Sequence, residues 1–200
     1  MANITSVSKR TVAEAQRKLK NDANFTKQVR ASLTNSFVKV YEKFLQDFNS
    51  HPVTKEIEAG PNSSNISGTL GGTGNLFTYI GFSSGSKPIE PLRKTLEEYS
   101  VRFNYQNNKV SILIEVPTKE MLFQVTPLPW ATGRSWAKSI ETGLSGLGQY
   151  LYTSSPRSRS GGAVQVKSRL RVGKFNNTPY LSSLLNEYYK EIKKIERMTL

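Results

Sequence analysis

Cysteine is absent from the 200-residue chain, histidine occurs once, at His51, and aspartate twice, at Asp22 and Asp47. Without thiols there is no disulfide framework and no thiolate nucleophile, and zinc sites built from Cys or several His are excluded. A Ser-His-Asp arrangement needs an imidazole base. The lone His51 lies beside a predicted helix end, with no Gly-x-Ser-x-Gly elbow to serve, and reads as structural. Two aspartates are too few for a two-metal nuclease or phosphatase, and no Asp/Glu cluster has the spacing of a calcium loop. The neighbouring glutamates Glu97 and Glu98, and Glu56 and Glu58, read as solvent-facing pairs rather than the acid and base of a glycosidase. Long apolar runs are lacking too: none approaches the roughly eighteen residues that cross a bilayer. The amino terminus has no apolar core of a secretory signal, so a cytoplasmic site of synthesis and use is expected. These absences argue against an enzyme, a metalloprotein and a membrane protein. No cofactor is implied.

Carboxylates are also unevenly distributed. None occurs between Glu141 and Glu187, and that gap holds Arg157, Arg159, Lys167, Arg169, Arg171 and Lys174. The chain's formal charge is +13, of which residues 142–186 supply +6 and residues 1–30 supply +5, leaving +2 for all the rest. Two basic segments therefore flank a nearly neutral body. Such segments are either solvated faces or surfaces that meet nucleic acid or acidic partner subunits, and charge alone does not separate these. Tyr150, Tyr152 and Phe175 stand near the basic residues and could stack on bases. No zinc-finger, RNP-type or KH-type signature accompanies them, so any nucleic-acid contact would be to the backbone. The Ser-Arg-Ser-Gly-Gly stretch reads equally well as an arm that folds against an acidic subunit.

Periodicity supplies the framework. Residues 1–25 read as a basic amino-terminal arm that turns helical around 12–19, with a thin apolar face of Val12, Ala15 and Leu19. Asn24 or Thr26 is the expected cap of a longer helix, in which Val29, Leu33, Phe37, Val40, Tyr41, Phe44, Leu45 and Phe48 recur every three to four residues. His51-Pro52 ends it. Residues 59–74 carry five glycines without the Gly-Lys-Ser/Thr of a phosphate loop, and are expected to be a flexible connection, as are residues 154–162. A strand is expected at 76–80, a helix at 87–99 with Pro88 and Pro91 in its first turn, and a hairpin of strands 101–106 and 109–116 about Asn107-Asn108. Met121, Phe123 and Val125 alternate as a further strand would. A helix is expected from Thr132 to Thr142, then strands at 149–153 and 163–171, the latter with a basic ridge. Thr178 and Pro179 open a last helix, whose stripe of Leu181, Leu184, Leu185, Tyr188, Ile192 and Ile195 reads as core or subunit interface. Lys190, Lys193, Lys194 and Arg197 lie on its other side. The expected fold is α+β: amino-terminal helices, an antiparallel sheet of about five strands and a carboxyl-terminal helix, forming one domain over residues 26–200.

Three of these features together resemble a known pattern. The long amino-terminal helix, Ala131-Thr-Gly-Arg-Ser-Trp-Ala-Lys-Ser-Ile140 and Asn177-Thr-Pro-Tyr-Leu-Ser-Ser-Leu-Leu185 are similar to the tail-completion, or neck, proteins of tailed bacteriophages. In that family a Thr-Gly segment ending in Ser-Ile and a Pro-Phe-Leu helix start recur in this order. The present chain has Trp136 where the family's Thr-Gly segment carries leucine-like spacing. The resemblance implies a non-enzymatic virion subunit, assembled in the host cytoplasm into a homo-oligomeric ring that joins portal or adaptor to tail around the DNA channel. It implies other portal, adaptor and tail proteins as partners. Arg157, Arg159, Lys167, Arg169, Arg171 and Lys174 would then meet DNA or an acidic neighbour. Trp130, Trp136, Tyr180, Leu184 and Tyr188 are the candidate subunit-interface side chains. The alternative is a sequence-nonspecific nucleic-acid-binding protein that uses residues 157–174.

Overall fold

The computed structural model describes residues 23–71, 74–106, 109–142 and 176–197. The first helix, α1 (Ala23–Ser50), is a single run of 28 residues. Leu33, Phe37, Phe44 and Phe48 are buried on it, at the spacing that puts side chains on one helical face. Asn24 and Thr26, the expected caps, both lie inside the helix, which already includes Ala23. It ends where expected: His51 is extended, at φ −60° and ψ 134°, because the following proline ring excludes the helical region.

A second helix, α2 (Pro52–Glu58), follows at once, with Pro52 in its first turn and His51 as its cap; the His51 Nδ1 accepts from the Val53 N–H at 3.2 Å. One 3₁₀ turn (Gly60–Asn62) leads into the glycine-rich connection. The segment expected as a strand at 76–80 is instead a helix, α3 (Leu76–Ile80). Its residues favour strands, but its flanks decide the matter: the Asn75 Oδ1 accepts from the Thr78 N–H at 2.9 Å, and Gly81 closes the helix at φ 90°. Helix α4 (Ile89–Leu96) lies inside the expected span and buries Ile89, Leu92 and Leu96.

The hairpin forms as the sequence indicates. Strands β1 (Ser100–Gln106) and β2 (Lys109–Glu115) pair antiparallel, from Ser100 opposite Glu115 to Gln106 opposite Lys109. Ile112 and Ile114 are buried while Leu113, between them, is 50% exposed. Residues 121–125 correct a second expectation, since they belong to α5 (Lys119–Gln124) and its terminus rather than to a strand. The Thr118 Oγ1 caps α5 by accepting from the Met121 N–H at 3.3 Å, and only Leu122 of that helix is buried, so the alternation of 121, 123 and 125 marks no core face. Strands β3 (Pro127–Leu128) and β4 (Ala131–Ser135) form a second short antiparallel pair. The helix expected from Thr132 therefore starts later, as α6 (Trp136–Thr142). Gly133, at φ 73°, takes a backbone conformation that a helix does not contain. The last helix is α7 (Leu181–Arg197). It begins beyond Thr178 and Pro179, whose residues are not helical.

The architecture is α+β, but the expected sheet of about five strands is not what forms. Among the described residues there are two separate two-stranded antiparallel sheets and seven α-helices. The strands expected at 149–153 and 163–171, the loop at 154–162, the amino-terminal arm through residue 22 and all six basic residues from Arg157 to Lys174 lie outside the described residues.

Contacts divide the chain into two compact units. The first contains α1 up to Glu42, the β1–β2 hairpin and α7 from Tyr189 onward. Its buried apolar side chains are Leu33, Phe37, Ile112, Ile114, Ile192 and Ile195, and the Arg30 guanidinium sits 5.5 Å from the centre of the Phe103 ring. The second contains the remainder of α1, all of α2–α6, the β3–β4 pair and the start of α7. Phe48, Val53, Ile57, Leu76, Phe77, Leu92, Leu122, Trp136, Ile140 and Tyr180 fill its core.

Candidate assembly site

The Thr-Gly segment at 131–140 and the Thr-Pro-Tyr-Leu segment at 177–185 meet inside the second unit. The first four amides of a helix have no partner within it, and at α7 the Glu141 side chain of α6 supplies one from outside. Its Oε1 accepts from the Ser182 N–H at 2.6 Å, and its Oε2 accepts from the Ser182 hydroxyl. A carboxylate at a helix amino terminus also complements the helix dipole. The Thr178 N–H donates to the Ile140 carbonyl at 3.3 Å, so the chain is held to the carboxyl end of α6 just before α7 begins.

Aromatic rings complete the junction. Tyr180 is fully buried, with its ring centre 6.4 Å from Trp136 and 6.3 Å from Phe48. Its hydroxyl shares a 2.9 Å hydrogen bond with the Thr54 Oγ1 of α2, and burial holds the phenol well above its ordinary pKa, with the Thr54 bond acting the other way. Phe82 meets Trp136 edge to face at 5.9 Å, and the Trp130 indole N–H donates to the Ile80 carbonyl at 2.8 Å. Thr126, just before β3, is tied to the far end of β4: its carbonyl accepts from the Trp136 N–H at 2.8 Å, and its hydroxyl lies 2.6 Å from the Ser135 Oγ. That Ser135 oxygen then accepts from the Lys138 N–H at 3.0 Å, capping α6.

The glycine-rich connection is fixed to this junction from below. Glu56 is fully buried, and its two oxygens accept from the Ser67 and Leu76 amides, each at 2.7 Å. The Asn75 Nδ2 donates to the Pro61 and Ser63 carbonyls at 2.7 and 3.0 Å. Thr69 shares a 3.0 Å hydroxyl contact with Thr178 and accepts from the Asn176 N–H at 2.9 Å. Residues 72 and 73 lie outside the described set.

Of the candidate interface side chains, Trp136, Tyr180 and Tyr188 are buried within the protomer, Tyr188 stacked on Phe44 at 4.3 Å, while Trp130 and Leu184 keep partial exposure. His51 caps α2, and burial lowers its pKa, the Pro179 carbonyl acting against the shift. Among the described residues no three His, Asp or Glu side chains gather as metal ligands would. Glu56, Glu141 and Tyr180 direct their polar atoms at the protein's own backbone and side chains. Glu56 was findable from the sequence: Val53, Glu56 and Ile57 share one face when 52–58 is read at helical period. Glu141 was not, because nothing local links it to a residue 41 positions on.

Comparison of the chain with models of known protein families, with characterised proteins and with solved structures finds no match. No helix among the described residues is long and apolar enough to cross a membrane.

Proposed function

We propose that this protein is a structural subunit of the head–tail connector of a tailed bacteriophage, a neck or tail-completion protein that assembles as a ring around the DNA channel. The observation that supports this reading most directly is the Glu141–Ser182 junction. The Thr-Gly and Pro-Tyr-Leu segments, 41 residues apart at that contact, form one packed element, as two motifs with a shared structural task would. The polar groups around it stabilise the protomer. Ring closure needs head-to-tail contacts between unlike surfaces. Trp130 and Leu184, which keep partial exposure, are the interface side chains best placed to make them. Portal, adaptor and tail proteins are the neighbours this role requires. The test is to purify the protein at increasing concentration, measure its mass, and locate it in reconstructed particles. Ring-sized assemblies and density at the neck are expected. A strict monomer that is missing from the neck overturns the proposal.

A second reading, nonspecific nucleic-acid binding through Arg157, Arg159, Lys167, Arg169, Arg171 and Lys174, is favoured by the carboxylate-free gap from 142 to 186. Replacing Arg169 and Arg171 by Ala should then flatten the salt dependence of binding by about 1.8 in log–log slope, at about 0.9 per phosphate contact. An unchanged slope sinks that reading.

A further inference from the structure

The basic surplus is not confined to the carboxylate-free gap. Among the described residues, the first unit carries nine basic against four acidic side chains, whereas the second carries eight basic against nine acidic. Among the described residues the imbalance therefore falls in the first unit, although both have charged groups in plenty. Within that unit, Lys190, Lys193 and Lys194 are exposed on α7, opposite the buried Ile192 and Ile195. Their i, i+3 and i+4 spacing puts three ammonium groups in one patch on the helix.

We infer that this face of α7 is a docking surface for the phosphate backbone of duplex DNA. Charge density favours this partner. The three lysines span about 6 Å of helix axis, a length over which duplex DNA presents between three and four phosphates, at one charge per about 1.7 Å. Each ammonium can therefore find a partner. Lysine is compatible with this partner, since it binds phosphate as a flexible point charge without reading sequence. Lys194 already contacts Glu191, but both side chains are well exposed and such a pair is readily exchanged for phosphate. The inference holds whether or not the chain is a connector subunit, and it rests on α7 rather than on residues 157–174.

The experiment is salt-dependent binding of the full-length protein to a random-sequence DNA duplex. In the variant Lys190→Gln/Lys193→Gln/Lys194→Gln the helix formers are kept and the charges removed. The log–log salt slope should fall by about 2.7, at about 0.9 per lost contact. A control, Lys55→Gln/Lys94→Gln/Lys119→Gln, removes the same charge from the second unit and should leave the slope unchanged. Circular dichroism confirms that both variants fold. The inference is overturned if the α7 variant keeps the wild-type slope, if the control loses as much, or if wild-type protein fails to hold the duplex at about 50 mM salt, the low end of the usual range.

Discussion

His51 combines a cap and a titratable ring in one side chain. Its folded-state pKa lies below the ordinary value of 6.5 because burial penalises the charged ring. The unfolded chain therefore takes up a proton first, and stability should fall as pH drops below 6.5, the loss ending below the folded pKa. Protonation also removes the Nδ1 acceptor of the Val53 N–H. In His51→Asn the cap is retained and the titration removed, since asparagine is a favoured N-cap. Its denaturation midpoint should drop less than the wild type's between pH 7.5 and 5. Glu56 makes a second prediction. Glu56→Ala leaves the Ser67 and Leu76 amides buried without their acceptor, at a cost of about 2–4 kcal/mol in urea unfolding. Glu56→Gln should not restore the loss, because its amide end turns a donor toward one of the two N–H groups. At this scale the sequence is a partial guide. The histidine reads as structural from its position, but Glu56, expected to face solvent, proves to be buried: helical period sets it beside Val53 and Ile57, while its hydrogen-bond partners lie 11 and 20 positions away.

The junction of α6 and α7 yields the prediction for elements. Glu141→Ala removes the whole cap, whereas Ser182→Ala removes only the hydroxyl contact, and a double-mutant cycle should give a coupling of about 1 kcal/mol for that contact. A coupling near zero would mean the Ser182 hydroxyl contributes nothing to holding Glu141 at α7. Long amphipathic elements were legible in the chain: α1, α4, α7 and the hairpin follow from periodicity and from Asn107-Asn108 alone. The short ones were not. At α3 and α5 five or six residues offer too little period to separate helix from strand, and the outcome rests on caps, Asn75 and Gly81 in one case and Thr118 in the other. At β4 the strand arises from pairing with β3, which no local signal in Ala131–Ser135 announces.

For the molecule as a whole, the two compact units differ in how they are built. The first relies on a two-stranded sheet, and an isolated hairpin of that size is only marginally stable. In native-state hydrogen exchange its β1 and β2 amides should open at lower free energy than those of α2 in the second unit. Equal protection would contradict this. The division into units, like the separate sheets, was beyond the reach of pattern reading, since it depends on which distant segments pack together. Tyr180 shows the distance involved: its hydroxyl meets Thr54 across 126 positions of sequence. Tyr180, which stacks on Phe48 and Trp136, lies far beyond both in the order of synthesis, so these two rings leave the ribosome well before their cover does. A chain arrested before Tyr180 shows them bare, an open invitation to chaperones and proteases.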